Sequence, residues 1–312
     1  MESSIRKAAV ILGGCAALGA LSLYLPYRIA FRSPNRGQND IFSLPAGEQY
    51  EVRAAEMKEM VRILAAEPYE TAAVRAEDGL PLRGKLYLRG GANAPVDICF
   101  HGWRATGVRD FSGGAKFLLD LGHNVLIVDQ RAQGDSRGHT ITFGVKESRD
   151  CLRWVHYVQC RPELRGPVTL YGVSMGASTV LLASALELPE QVKHIVADSP
   201  YTSPEAILKK VSRDMGLPGA ASAALLKGGA ALFGGFSFAG VSCTEAVKQA
   251  KVPILLFHGE EDRFVPVEMS REIAAANPEM VTLLTFPGAG HGLSFMADRE
   301  RYTRELIRFL DR

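Results

Sequence analysis

Residues 170–179 read LYGVSMGAST and set Ser174 two residues from a glycine on either side. A serine hydroxyl attacks a carbonyl only with a base to take its proton and donors to hold the oxyanion that forms. The surroundings suit that chemistry. The apolar run 168–173 reads as a strand, and the small helix formers of 175–183 read as a helix. A strand-to-helix turn exposes the hydroxyl at its apex and brings the Met175 N–H close to it as an oxyanion donor. The glycines let the backbone close so tight a turn. The plainer alternative is a tight helix start with Ser174 as N-cap. The G-x-S-x-G pattern alone arises by accident in roughly one chain in ten of this length, so its context carries the argument.

The base must follow in the order serine, acid, histidine. His194, His258 and His291 lie after Ser174. His194 opens an apolar run, and His258 ends one before Gly259. His291 sits in FPGAGHGLSF, a glycine-rich loop after the last run, and is expected to be the base. The acid that orients the imidazole and balances its charge is expected to be Asp262 in LLFHGEEDRFVP. Glu260 and Glu261 compete locally, and Asp198 after the preceding run is a second acid position. A second oxyanion donor is expected from FHGWRATG, where His101-Gly102 carries the chain over a strand end to the Trp103 N–H. The Trp103 ring is a candidate pocket wall, and His101 reads as structural.

These residues need a frame. Short apolar runs at 96–100, 124–128, 168–173, 194–197, 254–257 and 281–286 alternate with helical patterns such as 147–159. Two further strands flank the turn at 77–79. The alternation predicts an α/β fold with a mostly parallel sheet covered by helices on both faces, and ligands at the carboxyl ends of its strands. Between 200 and 251 lie two helical patterns, the second apolar almost all round, which predict a helical cap over the site.

Together, Ser174, Asp262, His291 and the HGW stretch resemble the α/β-hydrolase family. The stretch NVLIVDQRAQGDSRGHTITFGVKESRDCLRWVHYV, followed by LYGVSMGAST, resembles bacterial membrane-anchored serine hydrolases related to Bem46-like hydrolases. The resemblance spans about 70–312 and implies the α/β-hydrolase fold and a Ser-His-Asp triad. Two positions depart from it: Ala132, where related sequences usually have glycine, and Trp103, where tyrosine is common. Substrates in this family are diverse, so the fold does not name the bond that is cut.

Residues 8–25 carry no charge and at 1.5 Å per residue span about 27 Å, just enough to cross a bilayer core. Arg6 and Lys7 precede them; Tyr24, Tyr27, Arg28 and Arg32 follow. A single-pass anchor is preferred to a cleaved signal peptide or a non-membrane helix. The predicted organisation is an anchor with its flanks at 1–32, a linker and amphipathic helix at 33–69, and the hydrolase domain at 70–312 with its cap at about 200–251. Basic residues on both flanks leave the orientation open. The five cysteines are odd in number and form no CxxC pair, which argues against a disulfide framework or a zinc site and mildly favours a reducing, cytoplasmic side. A net charge of +2 suggests no nucleic-acid partner. No cofactor is expected.

The reading is a serine hydrolase of carboxylic esters or thioesters acting through an acyl-enzyme. A peptidase on the same residues would need carboxylates for a substrate amine, and the insertion offers only Glu205, Asp214 and Glu245. A non-catalytic binding module has no need of all three groups at strand ends.

Overall fold

The computed structural model describes residues 19–33 and 40–311. Its frame is one eight-stranded sheet of β1 (Glu70–Arg75), β2 (Pro81–Tyr87), β3 (Val96–Phe100), β4 (Asn124–Asp129), β5 (Val168–Val173), β6 (Val192–Asp198), β7 (Ile254–Gly259) and β8 (Val281–Phe286). The spatial order is β1-β2-β4-β3-β5-β6-β7-β8. The β1–β2 and β2–β4 pairs are antiparallel, and the remaining pairs are parallel. β3 and β7 are buried along their whole length because helices cover both faces. One face packs on Glu147–Gln159 and Met175–Ala183 through Trp154, Val155, Val180 and Leu181. The other packs on Ala54–Ala65, Ser112–Asp120 and Arg299–Leu310 through Leu64, Leu118 and Phe309.

From β3 the chain steps one way to β4, then crosses over to β5 on the other side. This reversal opens a crevice beyond the carboxyl ends of β3 and β5, where such sheets bind ligands. Between β6 and β7 come the helices Pro204–Asp214 and Gly219–Gly234, packed on each other. Ser203 starts the first by accepting from the Ala206 N–H at 3.0 Å, with Pro204 at its first position. Gly235, at φ 62°, ends the second in the left-handed region.

The chain before β1 packs on the domain at two places. Residues 19–30 form a helix that lies on the domain instead of standing apart from it. Tyr27 and Phe31 are buried, and Phe31 meets Phe143, Phe236 and Phe238. Gly228 and Gly229 on the second inserted helix make the approach close: a Cβ on Gly229 would run into the Leu23 carbonyl. Among the described residues no helix is long and apolar enough to cross a membrane, and residues 8–18 of the expected span lie outside them. The amphipathic helix expected within 33–69 forms as two pieces, Glu48–Glu51 and Ala54–Ala65, whose buried Tyr50, Val61 and Leu64 join the domain.

Candidate active site

Ser174 stands between β5 and its helix at φ 55° and ψ −114°, a conformation that L residues hold only when their surroundings impose it. The imposing contacts are backbone. A Cβ on Gly172 would overlap the Gly176 carbonyl, and one on Gly176 would overlap the Phe100 carbonyl at the end of β3. The two glycines therefore let the strand, the turn and the neighbouring strand close on one another, which leaves the serine at the apex.

His291 reaches the apex from the loop after β8. Its Nε2 lies 2.8 Å from Ser174 Oγ, and its Nδ1 lies 2.7 Å from Asp262 Oδ2. Asp262 follows β7 and is well anchored. Its Oδ1 accepts from the Phe264 and Val265 N–H groups at 2.9 and 2.8 Å. Burial pushes its carboxyl pKa up, but the side-chain contacts of His258 and His291 and the Val265 amide outweigh that and hold it well below the usual carboxylate range. The group is thus ionised and aimed at the imidazole.

The other candidates fall elsewhere. Asp198 is buried at the end of β6, where its Oδ1 accepts from Ser199 and Ser294 hydroxyls at 2.9 and 3.1 Å. Glu260 accepts from Thr285 on the surface. His194 packs against Phe309. His258 does more than end β7. Fully buried, it hydrogen-bonds the Val265 carbonyl through Nε2 at 2.8 Å, with Ser270 Oγ 2.7 Å from Nδ1, and its Nε2 is 3.3 Å from Asp262 Oδ2. It therefore backs the carboxylate on the side away from His291. His101 Nε2 accepts from the Gln130 N–H at 3.1 Å, so its Nδ1–H donates to the Gly102 carbonyl at 2.8 Å. It thereby ties the ends of β3 and β4 together.

The Met175 amide opens its helix and has no intrahelical acceptor. In the loop after β3, the Gly102 N–H donates to Asp110 and the Arg104 N–H to Gln133, at 2.8 and 2.6 Å, with the Trp103 amide between them. The side chains of this loop hold the N-terminal helix. Trp103 Nε1 donates to the Ala30 carbonyl at 3.0 Å, and Arg104 donates to the Ile29 and Arg32 carbonyls at 2.8 and 2.7 Å. The Arg104 guanidinium lies 4.2 Å from the centre of the Trp103 ring. Tyr50 donates to the His291 carbonyl at 2.7 Å. Nothing in the sequence marks Tyr50 or the helix 19–30 as site elements, because both arrive from distant chain.

Two cavities meet at Ser174. One, of about 430 Å³, runs beneath the inserted helices and is bounded by Ile29, Trp103, Phe143, Leu208, Val211 and Leu226 among others, with no charged residue in its lining. The other, of about 450 Å³, lies on the His291 side and carries Asp110, Asp198, Arg109 and Tyr50. Among the described residues no cluster of histidine, cysteine or carboxylate side chains could hold a metal ion.

Comparison with known proteins bears on the fold. The family model described as alpha/beta hydrolase fold matches residues 98–237, and one described as serine aminopeptidase, S33, matches residues 229–298. YqkD of Bacillus subtilis, an uncharacterised protein, is 27% identical over 62% of this chain and 64% of its own. Human ABHD12B is 31% identical over 57% of this chain and 50% of its own. The matches thus span less than two thirds of these relatives' length. Esterase Pf2001 of Pyrococcus furiosus has a TM-score of 0.64 at 23% identity in one crystal form and 0.63 at 25% in another, covering 80% of this chain and 92% or 94% of that one. Together the two family models span residues 98–298 and support an α/β-hydrolase superfamily member.

Proposed function

We propose that the chain is a serine hydrolase that cleaves carboxylic esters or thioesters. Ser174 Oγ attacks the carbonyl while His291 Nε2 takes its proton. Asp262 holds the imidazole in one tautomer and balances its charge. The Trp103 and Met175 amides receive the oxyanion. Collapse of the tetrahedral intermediate expels the alcohol or thiol, which leaves with the proton from His291. Water then attacks the acyl-enzyme with His291 again as base, and the acid departs.

The single observation that carries this reading is the unbroken chain from Ser174 through His291 to Asp262 at the mouth of an uncharged cavity. Such a lining suits an acyl chain. The names of similar proteins agree: esterase Pf2001, and a bifunctional esterase/perhydrolase from Acinetobacter calcoaceticus that is 34% identical over 24% of this chain. The test is a panel of p-nitrophenyl acyl esters, acyl thioesters and aminoacyl amides, with labelling by a fluorophosphonate. Esters or thioesters are cut and Ser174→Ala takes no label; labelling that survives in Ser174→Ala overturns the reading.

The S33 match favours an aminopeptidase as the second reading. It is the weaker one because the carboxylates of the insertion are already paired: Glu205 with Lys209 and Lys227, Asp214 with Lys210, Glu245 with Lys248. Within the same proposal, the helical pair acts as a cap, residues 8–25 serve as a membrane anchor with the cytoplasmic side favoured, and the affinity is with Bem46-like, membrane-anchored hydrolases.

A further inference from the structure

The apolar cavity ends at an apolar surface. On the helix 19–30, Leu21, Leu25 and Ile29 recur every four residues and are 54, 53 and 56% exposed, so they form one stripe. On the inserted helices and their connection, Met215 and Leu232 are each 62% exposed and Leu217 is 49% exposed. Ile29, Met215 and Leu217 also line the cavity, so its rim and this surface share side chains. Tyr24 joins the two helices edge-on to Phe233 at 5.1 Å.

Contiguous exposed apolar side chains around a pocket mouth mark a contact surface. Three observations choose its occupant. The residues 19–30 and Gly219–Gly234 carry no carboxylate, and Arg28 is exposed, which suits an anionic surface; Lys227 is paired with Glu205. An arginine beside an apolar stripe, as Arg28 is here, is a side chain that settles at a membrane interface. The chain also enters this face from residues 8–18, which carry no charged side chain.

We propose that this face docks on an anionic lipid surface, so that the cavity mouth opens into the bilayer and an acyl chain slides from the lipid to Ser174 without crossing water. The docking stands on the exposed residues alone; what happens to the acyl chain rests on the ester-hydrolase reading. The face shares Leu21 and Leu25 with residues 8–25 and extends past them to Ile29, Met215, Leu217 and Leu232, so those two side chains lie along the lipid surface instead of within a span.

The experiment uses the full chain with Cys15 and Cys160 replaced by serine; Cys99, Cys151 and Cys243 are buried. A nitrobenzoxadiazole dye is placed on Leu232→Cys, or on Leu121→Cys beside the amino end of β4 as control. With vesicles of phosphatidylcholine and phosphatidylglycerol, the dye at 232 shifts to the blue and brightens at least twofold, whereas that at 121 reports water. Protein that floats with the vesicles while its 232 dye still reports water overturns the docking. A blue shift without vesicles that grows with protein concentration assigns the face to a second copy and also overturns it. In the second arm, Leu232→Asp slows cleavage of a long-chain ester held in the vesicles at least fivefold and leaves a soluble short-chain ester unchanged. Equal rates on the vesicle ester overturn delivery from the bilayer. A chain whose 232 dye shifts as expected but that cuts neither ester supports the docking face and refutes only the hydrolase reading.

Discussion

Trp103 Nε1 donates to the Ala30 carbonyl at 3.0 Å, and so ties the loop after β3 to the end of a helix 73 residues earlier. Arg104 doubles the tie through the Ile29 and Arg32 carbonyls while holding a left-handed backbone at φ 51°. The Trp103 amide, the proposed oxyanion donor, lies between these anchors. Its position therefore depends on a helix that any truncation to a catalytic core would remove. A hydrogen bond from a charged donor contributes about 1.5–3 kcal/mol. Arg104→Ala is expected to lower kcat for a short acyl ester roughly tenfold or more with little change in KM, because the loss falls on the oxyanion. Trp103→Phe keeps the ring and loses the bond, and should give a milder form of the same effect. Steady-state kinetics decide it: a change confined to KM would mean that the loop only binds substrate.

Asp262 and Asp198 separate by role. Asp262→Asn offers His291 the wrong hydrogen-bonding partner, and turnover should fall on the order of 10⁴-fold. Asp198→Asn should cost less than about tenfold. Burial lifts the Asp198 carboxyl to about 6, against the hydrogen bonds from Ser199 and Ser294 and the nearby His258 and His291, which lower it. The folded chain then holds this proton more tightly than the unfolded one. Stability from the group is full below about pH 4 and is lost as pH rises through about 6. Asparagine accepts the same two hydroxyls without a charge. Asp198→Asn should therefore be more stable than the parent above pH 7, by on the order of 1–3 kcal/mol, with no gain below about pH 4. Paired thermal melts across that range check the sign; a constant difference at every pH would remove the titration from the account.

The turn stores strain at Ser174, the proposed nucleophile. Ser174→Gly suits φ 55° and ψ −114°, and should raise stability by about 1 kcal/mol while abolishing hydrolysis. Ser174→Ala should also abolish it, with a loss on the order of 10⁴-fold or more, but keeps the strain and melts near the parent. Gly176→Ala drives a methyl into the Phe100 carbonyl and should unfold or severely destabilise the chain. Calorimetry on the three variants tests the order. A Ser174→Gly protein that melts below Ser174→Ala would mean that the turn is relaxed.

The legible parts of this molecule were those written locally. The apolar runs fall on β3 to β8, and most plainly on β3, β4 and β7, because a strand buried on both faces must be apolar throughout. Ser174, Asp262 and His291 could be singled out because each follows such a run, where the fold gathers its loops. Ala132 stood out against the glycine of related sequences; its φ of 63° is the conformation for which glycine is suited. Tyr50, Arg104 and the helix 19–30 were not legible as site elements. Their contacts span between 72 and 241 residues of chain, and no periodicity records which carbonyl a side chain will meet. Apolarity at 8–25 read as one span, yet Tyr27 and Phe31 just beyond it are buried in protein. A helix side bound for lipid and one bound for a protein core carry the same residues.

The uncharged cavity sets the remaining prediction. Ser174 and the two proposed oxyanion amides do not distinguish one acyl chain from another, so selectivity must arise from the walls. Each methylene buried there contributes about 0.8 kcal/mol, roughly fourfold in kcat/KM per carbon while the chain still fits. Rates should rise from acetyl to octanoyl esters, and aminoacyl amides should be poor substrates because no carboxylate lines that cavity. Val211, half-buried on the first inserted helix, faces the cavity. Val211→Trp should fill it, so that octanoyl cleavage falls at least tenfold while acetyl cleavage changes less than about twofold, the equivalent of losing about two buried methylenes. If Val211→Trp lowered both esters alike, the ring would be disturbing the elbow rather than the chain. If the parent enzyme showed a flat or falling trend from acetyl to octanoyl, the acyl chain would have to lie in the polar cavity beside Asp198 and Tyr50 instead.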